Sequence, residues 1–268
     1  MTLTVTTDPA QISSLLARLL AADPVRATVL GSIVAEVRAG TAPEAWCAVR
    51  QGTDALVVRS HRQFPALFTS GWDGSDLDAA IALVRELPDL IGVSGPVETV
   101  DAAVAALADR APSHRTGMRL FRLDQLTPPR DVPGEARAAS ADDRDLLVDW
   151  YAAFSEEAHA MLRDPTQFVD RALATGRVWL WWDDGRPVSL AARRAPESGS
   201  ARIGPVYTPP ALRGHGYASA VTAAATADIL DIGAIPVLFT DLANPTSNKI
   251  YQLLGYYPVE DRAQISFR

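Results

Sequence analysis

Ile203-Gly-Pro-Val-Tyr-Thr-Pro-Pro-Ala-Leu-Arg-Gly-His-Gly-Tyr-Ala218 is the stretch from which the rest of the chain is read. Its apolar start reads as a strand that ends near Thr208, where Pro209-Pro210 stops it. A basic, glycine-containing turn follows at Arg213-Gly214-His215-Gly216, and a helix begins at once. A helix N-terminus presents unpaired N–H groups and about half a positive charge, so it attracts phosphate. Glycine lets the backbone approach that phosphate with no Cβ in the way, and Arg213 adds a charge-assisted donor. The helix carries Ala218, Ala220, Ala223, Ala224, Ala225 and Ala227, small enough to pack close to a sheet. The bland reading is a turn before an alanine-rich helix, but strand, Pro-Pro, Arg and paired glycines stand here in order. A dinucleotide fold is the nearest phosphate-binding alternative, with Asp241 as its ribose acid. That fingerprint wants G-x-G-x-x-G tight against the strand end, and here two prolines intervene and the spacing differs.

Upstream, Ala136 to Ala139 is extended, and Ser140 caps a helix through Leu146, Leu147, Trp150, Tyr151 and Phe154. Asp164-Pro165 opens a second helix. Arg177 to Trp182 and Pro187 to Arg193 are strands joined by the hairpin signal Asp184-Gly185. Downstream of the motif helix come a strand at Pro236 to Thr240, a helix at Thr246 to Leu254 stopped by Gly255, and a last strand from Tyr256 to Phe267. The order is β-α-α-β-β-β-α-β-α-β. The first half reads the same way: Leu3 to Thr6 extended, helices opened by Asp8-Pro9 and Asp23-Pro24, then three strands, a helix, a strand, a helix and a strand ending at Leu123. Two such runs predict a duplicated α/β fold with mixed sheets. The Pro-rich stretch 126–133 is the expected linker, giving domains 1–125 and 134–268.

Composition bounds the function. The chain has 268 residues, of which 48% are hydrophobic and 21% charged, and its net charge is -7. Those are the values of an ordinary folded protein. The acidic balance argues against nucleic acid, whose phosphates demand clustered Lys and Arg, and suits a cationic partner such as an amine. The start of the chain lacks the basic and apolar run of a signal peptide, and no apolar run is long enough to span a bilayer. The single cysteine, Cys47, excludes an intramolecular disulfide. A cytoplasmic location is expected, with no membrane or nucleic-acid partner; homodimerisation is a further expectation. The histidines show no metal-ligand spacing, so no metal site is expected.

Arg213-Gly-His-Gly-Tyr-Ala218 resembles the R/Q-x-x-G-x-G/A motif of the GNAT superfamily of acetyl-CoA-dependent N-acyltransferases, and Asn244-Pro-Thr-Ser-Asn-Lys-Ile-Tyr-Gln-Leu-Leu-Gly-Tyr256 resembles that family's second motif. The resemblance is strong over 202–258, and the element order extends it through the second half. It implies a fourth strand splayed from the fifth at a bulge, with the pantetheine arm of acetyl-CoA in the gap. Pro205, Val206 and Tyr207 would then offer backbone groups to that arm. The N–H groups of Arg213, Gly214, His215, Gly216, Tyr217 and Ala218 would cradle the pyrophosphate. Asn244 would touch the arm and Tyr251 would sit beside the thioester sulfur. The implied activity is transfer of the acetyl group to a primary amine by direct attack in a ternary complex, with a small-molecule amine as acceptor. Two alternatives stand beside it: a protein N-terminus or lysine as acceptor, and an acyl-CoA-binding sensor without catalysis.

The strand Ala201-Arg-Ile-Gly-Pro-Val206 lacks the glutamate that some family members use as base. Glu156 and Glu157, at the end of the Trp150–Phe154 helix, are the nearest carboxylates expected on the acceptor side. In the first half the corresponding turn, Phe68-Thr-Ser-Gly-Trp-Asp-Gly-Ser-Asp76, has no arginine, and Asp73 and Asp76 would repel a pyrophosphate. That half reads as a degenerate copy.

Overall fold

Asp8 accepts a hydrogen bond from the Ala10 N–H at 2.8 Å and Pro9 supplies a preset φ, so the first helix starts where that pair predicts. The computed structural model describes residues 3–158 and 164–268. It divides into two units: unit 1 is Met1–Leu120 with Thr240–Pro245 and Pro258–Arg268, and unit 2 is Phe121–Phe239 with Thr246–Tyr257.

In unit 1 the order is β1 (Leu3–Thr6), α1 (Pro9–Ala22), α2 (Thr28–Arg38), β2 (Trp46–Arg50), β3 (Leu56–Arg59), β4 (Ala66–Phe68), α3 (Gly74–Arg85), β5 (Gly92–Pro96), α4 (Val97–Ala106) and β6 (Pro112–Leu123), whose last residues count with unit 2. Strands β1 to β4 pair antiparallel in sequence order, and β4 pairs parallel with β5. The alternation of β2 and β3 feeds two cores. Ala48 and Val57 pack with Phe68, Ala80, Ile81 and Val84 on the α3–α4 face, and Cys47, Val49, Leu56 and Val58 pack with Ile12, Leu16, Leu30 and Val34 on the α1–α2 face. Burial pushes the Cys47 thiol up to about 12, as befits a small core residue.

One expected helix start is corrected. Asp23-Pro24 does not open α2; the Asp23 carboxylate accepts from the Val25 and Arg26 N–H groups at 3.1 and 2.9 Å, closing a turn, and the helix begins at Thr28. An aspartate before a proline carries the same local signal for either outcome.

From residue 135 on the order repeats with β7 (Glu135–Ala138), α5 (Arg144–Glu157), α6 (Pro165–Ala174), β8 (Val178–Asp183), β9 (Arg186–Arg193), β10 (Ser200–Tyr207), α7 (Tyr217–Asp231), β11 (Ile235–Asp241), α8 (Pro245–Leu253) and β12 (Tyr256–Phe267). Ser140 forms a capping box with Asp143 over a short 3₁₀ turn, and α5 follows it. Asp184 and Gly185 both have positive φ, +49° and +71°, the two-residue turn expected between β8 and β9. Ala223 and Ala225 of α7 are buried in one core with Ala201, Ile203 and Leu238, and Ala220 is buried as well.

The partition differs from the single cut expected at 126–133. Strand β12 begins in unit 2, but from Pro258 on it belongs to unit 1, where it pairs antiparallel with β5 from Arg262↔Pro96 to Ser266↔Gly92. Ala263, Ile265 and Phe267 complete the core that holds Phe68 and Val93. Among the described residues, no helix is long and apolar enough to cross a membrane.

Candidate functional site

Proline has no N–H to give to a ladder, so Pro205 inside a strand forces an irregularity. The antiparallel register of β10 with β9 slips there: Ile203 faces Arg193, and the next partners are Val206↔Ala191 and Tyr207↔Leu190. On its other side β10 pairs parallel with β11 from Ser200↔Ile235 to Ile203↔Leu238, and there the register ends while β10 continues to Tyr207. The last residues of β10 thus offer backbone groups toward β11 without that strand as partner. Pro205 itself can offer only its carbonyl.

The end of β10 is tied down by a residue that no sequence pattern singles out. Ser189 of β9, fully buried, donates to the Tyr207 carbonyl at 3.0 Å and shares a 2.8 Å hydrogen bond with the Thr208 hydroxyl. Arg213 then folds back on the same corner. Its Nε donates to the Thr208 carbonyl at 2.9 Å and its Nη2 to the Glu157 carboxylate at 2.6 Å, an interaction that raises the arginine further above its ordinary value. Glu157, expected as a base candidate, is therefore engaged with the loop arginine. Glu156 beside it is exposed.

Gly214 and Gly216 hold φ of +85° and +84°, which L side chains rarely adopt. A Cβ on Gly214 would meet open space, and one on Gly216 would lie 3.0 Å from a Val132 methyl. Gly216 is the N-cap of α7 and brings no side-chain acceptor, so the N–H groups of the first turn keep their donor capacity. His215 stacks on Tyr217 with ring centroids 5.4 Å apart, and its Nδ1 lies 3.3 Å from the Leu212 carbonyl. The Tyr217 hydroxyl donates to Asp183, a bond that raises the phenol above its ordinary value. Both side chains are thus occupied in shaping the loop.

Tyr251 lies on α8 and is buried between the rings of Phe121 and Tyr256, at 6.4 and 6.2 Å. Burial pushes its phenol up to about 12. Asn244 immediately precedes α8, and its N–H donates to the Asp241 carbonyl at 3.0 Å. Asn244 counts with unit 1 and Tyr251 with unit 2. Trp150 meets Tyr207 at 6.2 Å, while Trp179 and Trp181 pack against the core of unit 2. Among the described residues no His, Cys, Asp or Glu cluster is set to hold a metal.

The corresponding turn of unit 1 is filled by its own charges. Arg50 reaches Asp76 at 2.7 Å and Asp73 at 3.3 Å, and these two acids are the buried first-turn residue and the N-cap of α3. The helix end that would receive a phosphate already carries carboxylates.

Residues 183–264 match the family described as FR47-like protein. Among solved structures, the chain is similar to a GNAT-family acetyltransferase from Colwellia psychrerythraea, with a TM-score of 0.66 and 12% identity over 100% of both chains. It is also similar to a GCN5-related N-acetyltransferase from Sphaerobacter thermophilus, with a TM-score of 0.64 and 13% identity over 98% of this chain and 95% of that one. A tandem GNAT protein from the clavulanic acid biosynthesis pathway aligns over 99% of this chain and 98% of its own, with a TM-score of 0.57 and 12% identity. No curated protein matches the sequence. Over its whole length the fold is similar to those of GNAT-family acetyltransferases, and residues 183–264 match the FR47-like family.

Proposed function

We propose that unit 2 is an N-acetyltransferase that moves the acetyl group of acetyl-CoA to a primary amine on a small molecule. One observation carries this reading: the β10–β11 register stops at Ile203↔Leu238, and the strand end leads through two left-handed glycines into the uncapped start of α7. An extended arm fits the first feature and a pyrophosphate the second. The N–H groups from Arg213 to Ala218 hold the pyrophosphate, Val206 and Tyr207 hold the arm through their backbone, and Pro205 contributes its carbonyl. Asn244 is assigned to the arm as well. Acetyl-CoA supplies the acyl group, which a neutral amine attacks directly. The Val206 N–H is the candidate donor to the developing oxyanion, and Tyr251 is the candidate donor to the departing sulfur. Glu157 orients Arg213, which leaves Glu156 or a water chain to take the amine's proton. The Arg50–Asp73–Asp76 cluster supports a unit 1 without a cofactor.

The test is release of free CoA thiol from acetyl-CoA over a panel of amines and of peptides with a free N-terminus or lysine. Turnover with amines is expected. Turnover with peptides alone moves the acceptor to protein, and tight acetyl-CoA binding with no turnover makes the chain a sensor. Calorimetry should count one acetyl-CoA per chain; two would overturn the reading of unit 1.

A further inference from the structure

We infer that Ser189 is a positioning residue for acetyl transfer. Its hydroxyl holds the end of β10 so that the Val206 N–H stays aimed at the acetyl carbonyl, which rests on the acetyl-CoA site proposed above for unit 2. Ser189 sits in the run Val188-Ser-Leu-Ala191 and is 0% exposed. A buried hydroxyl is costly unless it is bonded, and alanine would fill nearly the same space. Packing therefore gives no reason for a serine here, and its two bonds do. The hydroxyl has one proton, which goes to the Tyr207 carbonyl at 3.0 Å. In the 2.8 Å bond between the two hydroxyls Thr208 must then be the donor. The bonds run in one direction, from Thr208 to Ser189 to the Tyr207 carbonyl, and each polarises the next.

That carbonyl lies where the strand is least supported. The ladder with β9 has its last pair at Tyr207↔Leu190, and the one with β11 has already ended at Ile203↔Leu238. Thr208 and Ser189 are the next positions in register, and they join through hydroxyls; Pro209, which has no N–H, cannot carry the ladder further. On its far side Ser189 is paired with Trp181 of β8, so it is a fixed point from which the strand end is held. Successive residues of a strand turn their backbone groups to opposite sides. With the Tyr207 carbonyl held on the β9 side, the Val206 N–H faces the side that β11 has left. Arg213 bonds the Thr208 carbonyl independently, at 2.9 Å, so the phosphate loop keeps its own anchor when the Ser189 hydroxyl is removed.

The test reads the carbon-13 NMR signal of carbonyl-labelled acetyl-CoA bound to the full chain with no amine present, and beside it kcat and KM with an amine that the wild type acetylates. The signal needs no turnover. In the wild type it should lie downfield of the free thioester, because a donated hydrogen bond polarises the carbonyl. In Ser189→Ala it should move back toward the free position. There kcat should fall on the order of tenfold, a part of the roughly 10²–10³ that a lost oxyanion donor costs, and KM for acetyl-CoA should stay within about twofold. Ser189→Cys, a weak donor of similar shape, should fall between. Thr208→Val removes another buried hydroxyl but leaves the Ser189 bond to the carbonyl, so it should lower Tm comparably and move the signal and kcat much less. A Ser189→Ala chain that binds acetyl-CoA with an unmoved carbonyl signal, or a Thr208→Val chain that matches it in signal and kcat, would overturn the proposal. A wild type that binds no acetyl-CoA would sink the site itself, and this role of Ser189 with it.

Discussion

Tyr251 is poorly suited to giving up its proton outright. Buried between two aromatic rings, its phenol sits at about 12, whereas a thiol lies near 8.5, so full transfer to the departing sulfur runs uphill by about 5 kcal/mol. A hydrogen bond is the part it can play at neutral pH. Tyr251→Phe is expected to lower kcat on the order of tenfold or more, measured by thiol release; a loss under about twofold rules the role out. The same shift has a sign in stability. The unfolded chain loses this proton near pH 10 and the folded one near 12, so the protonated phenol's contribution is whole below 10 and is lost as pH rises toward 12. Denaturant titrations should show that fall, and it should be smaller in Tyr251→Phe. Glu157 makes a second case. Its carboxylate is held 2.6 Å from Arg213, so Glu157→Gln is expected to leave the acidic limb of kcat/KM in place and to alter the KM for acetyl-CoA. An acidic limb that vanishes would return Glu157 to the role of base. Sequence reading brought both residues forward, but their pairing joins positions far apart in the chain. Ser189, which ties the end of β10, was silent, because a lone polar residue in an apolar strand has no spacing to announce it, and Asp183, which holds Tyr217, was hidden beside the turn signal of Asp184-Gly185.

The loop between β10 and α7 owes its path to two glycines with different surroundings. At Gly214 a Cβ would meet nothing, so Gly214→Ala costs only the left-handed backbone, about 1–2 kcal/mol. At Gly216 the same cost applies, and the new methyl would press on Val132 at 3.0 Å. Gly216→Ala should therefore lower Tm more than Gly214→Ala does, with the first loss about 3 °C or more. It should also weaken acetyl-CoA binding, because it moves the first turn of α7. Element by element, the repeated order was legible, since strand alternation and helix caps are local properties. The Asp23 turn was not, because that residue can cap a helix or close a turn with the same two acceptor oxygens. The stop in the β10–β11 register was legible only in part. Pro205 marks a bulge, but where a parallel partner leaves the strand depends on β11, beyond the reach of any local pattern.

At the scale of the whole chain, the Pro-rich stretch 126–133 looked like a clean divide, and the strand pairing does not respect it. Composition can reveal a linker, but no local signal says which strand will lie beside β5. That place is taken by β12, from the other end of the sequence. Its residues Ala263, Ile265 and Phe267 are buried with Phe68, Val93 and Val100, and Arg262 is tied to the Phe68 carbonyl. Burying an Ile and a Phe is worth about 1.5–3 kcal/mol each, and β5 without β12 would lose a whole ladder of backbone partners. Together these approach the 5–15 kcal/mol that holds a typical domain folded. A fragment cut at 125 should therefore fail to fold by itself, giving a collapsed amide spectrum and no cooperative thermal transition. Supplying 256–268 as a peptide in trans should restore dispersion to the amides of β5 and the α3–α4 core. A fragment 1–125 that folds cooperatively alone would mean that β12 is an accessory to unit 1 and not part of its core.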